Sequence, residues 1–281
     1  MVESMSSLRI RALQAARPVA AKLADAFSSG ALVVTTKTNE HDVVSDWDHR
    51  AEDLLKDALA GEDAVFWGEE TGHQPVTAPG QLQWLIDPID GTSNFVHGYP
   101  MFSISIAAIR NEQVIAGVVV DPVTGDEYSA DATGAYFNDA PLVSRPAPAT
   151  PAQYNLVTSF PAAEILHRAP AQAPALFGEL VTTFATVRRL VSGALELCLA
   201  ARGIADLVLG VDTNPWDVAA GSYILTRAGG TYLTSTPASR DTTARLTNAT
   251  GPAHLAPHYV AVAPGRTAEP IIDIFEQIQQ M

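Results

Sequence analysis

The stretch Trp84-Leu85-Ile86-Asp87-Pro88-Ile89-Asp90-Gly91-Thr92-Ser93-Asn94-Phe95 constrains this chain more than any other. Gln83-Trp84-Leu85-Ile86 reads as a short strand that delivers Asp87 to its end. Pro88 stiffens the turn that follows, so Asp90 can return beside Asp87. Two carboxylates held that close repel each other, and burying both without compensation is expensive. A divalent cation resolves the conflict; magnesium prefers hard oxygen ligands and keeps some of its waters. Gly91 tolerates close backbone approach, and Thr92, Ser93 and Asn94 are residues that start helices. Exposed N–H groups there form a seat for a phosphate. The competing reading is a capped turn in which the aspartates only accept backbone N–H groups, an unusual use for two acids flanking Pro-Ile before Gly-Thr.

Around this turn the texture of the chain predicts alternating elements. At 281 residues and 47% hydrophobic, it can bury a substantial core as one large domain or two intimately packed halves. An amphipathic helix is expected from residue 5 to about 29, kinked near Pro18, and a second from about Ser45 to Leu59. Residues 102–109 and 114–120 read as a hairpin across Arg110-Asn111-Glu112-Gln113, followed by strands near 126–130 and 134–137. The Pro- and Ala-rich run from Arg145 to Pro151 reads as a linker. Beyond it, strands at 154–159, 185–190, 206–211, 230–234 and 259–263 alternate with helices at roughly 161–182, 192–202, 216–228 and 268–280. The expected division is an N-terminal α+β half, 1–145, carrying a mixed or antiparallel sheet and the aspartate turn, and a C-terminal α/β half, 152–281. The active site is expected in the cleft between them.

The charge balance narrows the function. With 31 acidic against 17 basic residues the net charge is −14, which disfavours a nucleic-acid surface or an anionic membrane partner. The same charge would repel a phosphate ester unless cations neutralise the acids. Lone Cys198, in the run Leu195-Glu196-Leu197-Cys198-Leu199-Ala200, forbids an intrachain disulfide and reads as a buried structural thiol. No apolar signal core or membrane-length run accompanies Arg9, Arg11 and Arg17, so a cytoplasmic, soluble chain is expected. Neither a Gly-x4-Gly-Lys-Ser/Thr loop nor a dinucleotide glycine fingerprint is present, which argues against a kinase or nucleotide hydrolase.

Three further acidic features have bland readings taken singly. Gly68-Glu69-Glu70-Thr71 could be solvated surface. Asp217, at the start of Trp216-Asp217-Val218-Ala219-Ala220-Gly221, could be a helix cap, as could Asp42 and Asp48 at the second helix. His254 and His258 have i,i+4 spacing, but Pro252 and Pro257 argue against a helix and hence against a zinc pair. His97, just past the turn, is expected to pack rather than ligate.

Taken together, the segment Trp84–Phe95, the segment Trp216–Gly221 continuing to Ala228-Gly229-Gly230, and the two upstream acidic segments resemble the inositol monophosphatase family, with its bisphosphatase and histidinol-phosphate phosphatase relatives. The resemblance runs from about residue 37 to 230 and implies an αβαβα layered sandwich. It implies that Glu69, Asp87 and the main-chain carbonyl of Ile89 hold one Mg²⁺, that Asp87, Asp90 and Asp217 hold a second, and that a third, weaker ion sits near Glu69 in some members. Thr92, supported by Asp48, would orient the attacking water, making Thr92, Asp48 and Glu69 the catalytic group. Asp90, Gly91, Thr92, Ser192, Gly193 and Asp212 would bind phosphate and substrate.

Two departures bear on the substrate. Inositol-specific members carry a glutamate seven residues before the Trp-Asp aspartate, where this chain has Gly210, with Asp212 as a substitute two residues on. The family's Gly-Ser/Thr-Ala segment is here Val191-Ser192-Gly193. The expected function is hydrolysis of a small phosphorylated metabolite, inositol monophosphate first. Histidinol phosphate, fructose 1,6-bisphosphate or a 3′-phosphoadenosine nucleotide are the alternatives within the same chemistry, and a partner-binding protein with a vestigial site is the alternative outside it. Lithium sensitivity and a homodimer are implied by the family alone.

Overall fold

The computed structural model describes residues 5–30, 34–36, 43–61, 64–234, 247–248 and 252–281, with backbone alone for 34–36, 43–45 and 247–248. Asp42 lies outside the described residues.

Five layers stack as αβαβα. An eight-stranded sheet runs, edge to edge, through Ala140–Pro141, Gly134–Phe137, Glu127–Asp131, Gln113–Val120, Ser103–Arg110, Gln83–Asp90, Val65–Gly68 and Gly72–His73. All its pairings are antiparallel except that of Val65–Gly68 beside Gln83–Asp90. Strand Gln83–Asp90 is buried along its whole length because both faces are covered. Side chains alternate between faces, so Trp84 and Ile86 join helices Met5–Ser29 and Asp46–Leu59 in one core, while Leu85 joins helices Gly193–Ala201 and Pro215–Arg227 in another. Those two inner helices separate the large sheet from a six-stranded one: Thr186–Arg188, Asn155–Thr158, Leu207–Gly210, Tyr259–Val262, Thr231–Thr234 and Thr247–Asn248. Helices Gln172–Thr183 and Ile272–Gln279 close the far side over a third core containing Leu156, Leu209 and Val260.

Most expected elements are present, and the differences have local causes. The helix expected at 161–182 is two, Ala163–Arg168 and Gln172–Thr183, because Pro170 disfavours helical backbone at Ala169. Helix Met5–Ser29 continues through Pro18 without a break, held along its buried face by Val19, Ala20 and Leu23. The Asp-Pro-Ile-Asp segment is not a free turn after a strand. It is the irregular end of strand Gln83–Asp90, where the pairing with Ser103–Arg110 shifts register between Asp87 and Asp90. A bulge of this kind re-aims side chains at a strand end, and here it turns both carboxyls toward the inner helices. Among the described residues no helix is long and apolar enough to cross a membrane.

Candidate active site

A cleft of about 310 Å³ opens where this irregular strand end meets the inner helices and the tips of Leu207–Gly210 and Tyr259–Val262. Six carboxyl groups line it, from Glu69, Asp87, Asp90, Glu196, Asp212 and Asp217, and among the described residues no Lys, Arg or His does. Gly91, Thr92, Ser192 and Gly193 line it too.

Each acid is delivered by a specific local structure. Glu69 follows strand Val65–Gly68, whose parallel pairing places it beside Ile86 and hence next to Asp87. Its turn is tied down by Glu52, fully buried in helix Asp46–Leu59, which accepts the Glu70 N–H at 2.8 Å and the Thr71 hydroxyl, and pairs with Lys56 at 2.8 Å. Burial works to raise the Glu52 pKa, but the bonds from Lys56, Thr71 and Glu70 outweigh it and hold this carboxyl below its ordinary value. Asp217 sits in the first turn of helix Pro215–Arg227 and closes a capping box with Asn214, accepting its N–H at 2.9 Å. The capping role and the cleft position therefore coexist in one residue.

Asp90 is the most elaborately held. Its Oδ2 accepts the Ser103 hydroxyl at 2.9 Å, the Ala194 N–H at 3.1 Å and the Ser192 hydroxyl, which fixes the carboxyl's orientation. Asp87 accepts the Ile89 N–H at 3.1 Å, and the neighbouring Glu69 carboxyl acts to raise its pKa. Thr92 Oγ1 lies 2.9 Å from both Asp48 Oδ1 and the Ile89 carbonyl, and Asp48 is wholly buried at the start of its helix. The N–H groups of Asn94 and Phe95 turn back to the Gly91 carbonyl, so any phosphate seat is confined to the amides of Gly91, Thr92 and Ser93.

Gly91 is required by geometry. Its φ is +89°, and a Cβ there would lie 2.9 Å from the Val191 carbonyl oxygen and 3.1 Å from that of Met101. The aspartate turn thus packs directly on the Val191–Ser192 segment. Asn94 Nδ2 reinforces the contact by donating to Leu190 O and Met101 O, both at 2.6 Å.

The electrostatics are those of crowded, buried acids. Asp87 is pushed well above its ordinary pKa by burial, then by the charges of Glu69, Asp90 and Asp217. Burial raises Asp90 too, against the opposing bonds from Ser192, Ser103 and the Ala194 and Gly193 amides. Asp217 is pushed up to about 8, chiefly by burial, with Asp90 and Glu69 adding to the rise. Glu196 also rises to about 8, through burial and then the charge of Asp90. The groups acting most strongly on Asp87, Asp90 and Asp217 include no basic side chain. Among the described residues no three His, Cys, Asp or Glu side chains already converge as a closed metal-ligand group. The donor chemistry nonetheless suits a hard divalent cation, since oxygen donors are concentrated, buried and mutually repulsive, and magnesium needs few protein carboxylates.

Asp212 lines the cleft, but its carboxylate is engaged. Arg168 donates to it at 3.0 Å, and His258 Nε2 stands 3.7 Å away. Gly210 carries nothing into the cleft, and its place is taken from across the sheet. Tyr259 is its antiparallel partner, and a Cβ on Gly210 would fall 2.0 Å from the Tyr259 ring. Tyr259 stacks on Tyr232 at 4.7 Å between centroids and itself lines the cleft.

Glu196 and Tyr259 are among the cleft residues that escape sequence reasoning. The signal for Glu196 is a charged residue inside an otherwise apolar helical run, which has to be satisfied if buried; its carboxyl accepts the Val191 N–H at 3.1 Å. Tyr259 carries no comparable signal, because its role depends on cross-strand register. Cys198 is buried in an inner helix, and burial pushes its thiol well above its ordinary pKa. His97, expected to pack, is instead exposed and bonds the Ser93 carbonyl through Nδ1 at 2.7 Å, and His254 is buried and does not line the cleft.

The layered architecture and its acid-lined cleft place the molecule in a class already known from solved structures. The extragenic suppressor protein suhB from Bartonella henselae superimposes with a TM-score of 0.78 at 25% identity, over 96% of this chain and 97% of that one. The IMPase of Thermotoga maritima gives 0.75 at 25% identity, over 95% and 96%. The inositol monophosphatase family model matches residues 4–280, and the chain belongs to that family. Among curated relatives, the inositol-1-monophosphatase of Mycobacterium leprae is 33% identical over 250 residues, 86% of this chain and 81% of the relative. The Nus factor SuhB of Pasteurella multocida is 33% identical over 239 residues, 80% and 87% respectively. The fructose-1,6-bisphosphatase/inositol-1-monophosphatase of Aquifex aeolicus is 31% identical over 196 residues, 69% and 72%.

Proposed function

We propose that this chain is a Mg²⁺-dependent phosphomonoesterase acting on a small phosphorylated metabolite, with inositol monophosphate the first candidate. The observation that carries the reading is the cleft itself, lined by six carboxyl groups and, among the described residues, by no basic side chain. A phosphate ester would meet repulsion there unless bound cations offset the charge of these acids. In this reading Glu69, Asp87 and the Ile89 carbonyl hold one Mg²⁺, Asp87, Asp90 and Asp217 hold a second, and a third, weaker ion can sit near Glu69. When bound, such ions lower the pKa of water and offset charge on the phosphoryl oxygens.

The chain's own residues supply the positioning on which phosphoryl transfer depends. Thr92 has one hydroxyl proton and two acceptors at equal distance. Donated in a hydrogen bond to Asp48, that proton leaves a lone pair of Thr92 Oγ1 to accept a hydrogen bond from water and aim the water oxygen at phosphorus, and the Ile89 carbonyl is released at the same time. The three donors on Asp90 Oδ2 keep that carboxyl from swinging as charge builds nearby. The amides of Gly91, Thr92 and Ser93 face the phosphate, and Ser192, Gly193 and Asp212 border the alcohol it carries.

The names of the relatives support a phosphate monoester as substrate and inositol phosphate as the leading one, with a fructose bisphosphate as the next. A vestigial, partner-binding chain is the contrary reading. It is disfavoured because Asp48, Glu69, Asp87, Asp90, Thr92 and Asp217 are all kept and the hydrogen bonds that aim them are intact. Asp90→Asn tests the proposal. Turnover is expected to fall by about three orders of magnitude, within the range lost when one preorganised charge group is removed, with the circular dichroism spectrum unchanged. Near-normal turnover would sink the metal assignment.

A further inference from the structure

Six described residues other than glycine have positive φ: Asn111, Glu112, Asn138, Asp139, Val191 and Asp212. The first four are the central pairs of the two-residue turns joining Ser103–Arg110 to Gln113–Val120 and Gly134–Phe137 to Ala140–Pro141, where left-handed backbone is the rule. The remaining two, Val191 and Asp212, both line the cleft. Val191, at φ +60°, is the only β-branched residue among the six, and branching at Cβ makes this conformation a genuine outlier.

Its backbone is locked in place. The Val191 N–H donates to Glu196 Oε1 at 3.1 Å, Asn94 Nδ2 donates to Val191 O at 3.3 Å, and the same carbonyl abuts Gly91. Glycine would meet all these demands without strain. Val191, by contrast, joins none of the three hydrophobic cores, and the residue is 41% exposed. A strained side chain that does not pack on the interior, yet borders a binding cleft, points to contact with a ligand. The wall formed by residues 209–213 and Tyr259 is consistent with that. The position at Gly210 is filled by the ring of Tyr259, while the Val211 side chain packs against the third core on the other face of the sheet. The one carboxylate on that wall, Asp212, is held by Arg168.

We propose that Val191 is a specificity-determining residue: with the ring of Tyr259 it gives the cleft an apolar surface that selects phosphomonoesters whose alcohol presents an apolar face beside the phosphate. The inference rests on the phosphomonoesterase reading only for which end of the ligand enters first.

Binding of non-hydrolysable phosphonates separates the two ideas. Titration calorimetry in saturating Mg²⁺ would compare phenylphosphonate with 2,3-dihydroxypropylphosphonate on the wild-type protein, Val191→Gly and Val191→Thr. The wild type is expected to favour the phenyl ligand. Val191→Gly should weaken phenylphosphonate about tenfold, the scale of a lost branched apolar contact, and weaken the dihydroxypropyl ligand less than twofold. It should also melt a few degrees higher, because glycine relieves the strain. Val191→Thr keeps the branching and the strain but exchanges a methyl for a hydroxyl, so the preference should narrow with no rise in melting temperature. A wild type that does not distinguish the two ligands would overturn the proposal. So would a Val191→Gly variant that changes both affinities equally or neither. The expected affinities from a protein that hydrolyses no ester would uphold the apolar surface and defeat the phosphatase reading instead.

Discussion

Replacing Gly91 by alanine probes the point at which the aspartate turn leans on the Val191–Ser192 segment. Two costs add. Left-handed backbone costs a residue with a Cβ about 1–2 kcal/mol. The new methyl would also lie 2.9 Å from Val191 O, 3.1 Å from Met101 O and 3.2 Å from Ser192 Cβ. Both oxygens belong to backbone, and Asn94 Nδ2 holds each of those peptide segments, so neither yields cheaply. Overpacking of this kind costs about 1–3 kcal/mol, for a total of about 2–4 kcal/mol of stability. The relief available is an outward shift of the 191–192 segment, which draws Ser192 off Asp90. A displacement near 1 Å at such a site lowers turnover by about a hundredfold. Urea denaturation followed by tryptophan fluorescence reads the first quantity, and initial rates of phosphate release read the second. A stability loss below about 0.5 kcal/mol, the size of a neutral surface change, with near-normal turnover would refute the account of how the two segments are locked together.

Removing divalent cations should expose the strain among the acids as a pH dependence. Asp217 and Glu196 are raised to about 8, and Asp87 and Asp90 are raised as well, so the folded chain binds more protons than the unfolded chain between the ordinary carboxyl range and about pH 8. Their contribution to stability is complete below the unfolded values and is lost as pH rises through the folded ones. In EDTA the melting temperature should therefore fall between pH 5.5 and 8, by roughly 5–10 °C if a few kcal/mol are lost, and Mg²⁺ should restore more at pH 8 than at pH 5.5. A flat or rising profile in EDTA would contradict the assignment. Lithium, as a competing cation at a carboxylate site, is expected to inhibit in a titration against Mg²⁺, and inhibition unchanged by Mg²⁺ would count against it. Light scattering is expected to give the mass of a homodimer, and a monomer mass would contradict that family-based expectation.

Much of the molecule is legible in its sequence, for identifiable reasons. Hydrophobic period and turn residues carry local structure, so the hairpin across Asn111-Glu112 and the inner helix ending before Gly229-Gly230 can be read directly. Asp87, Asp90 and Gly91 are conspicuous because adjacent acids and a glycine serve no common structural purpose. What stays hidden depends on contacts between distant segments. Glu52 looks like one more surface acid of a helix, yet it anchors the turn that presents Glu69. Gly210 reads as a missing side chain, and only the register with Tyr259–Val262 reveals the ring that occupies its place. Asp212 reads as a free acceptor until folding brings Arg168 against it, although 44 residues separate the two. Val191 looks like an ordinary apolar residue, since a sequence does not display φ.

Phosphate release from a panel of esters, with and without Mg²⁺, tests the central claim most directly. The panel comprises inositol 1-phosphate, histidinol phosphate, fructose 1,6-bisphosphate and 3′-phosphoadenosine 5′-phosphate. The account predicts release that requires Mg²⁺, with one ester hydrolysed well above the others and the rate abolished by EDTA. Folded protein that neither binds Mg²⁺ nor releases phosphate from any of the four would contradict it.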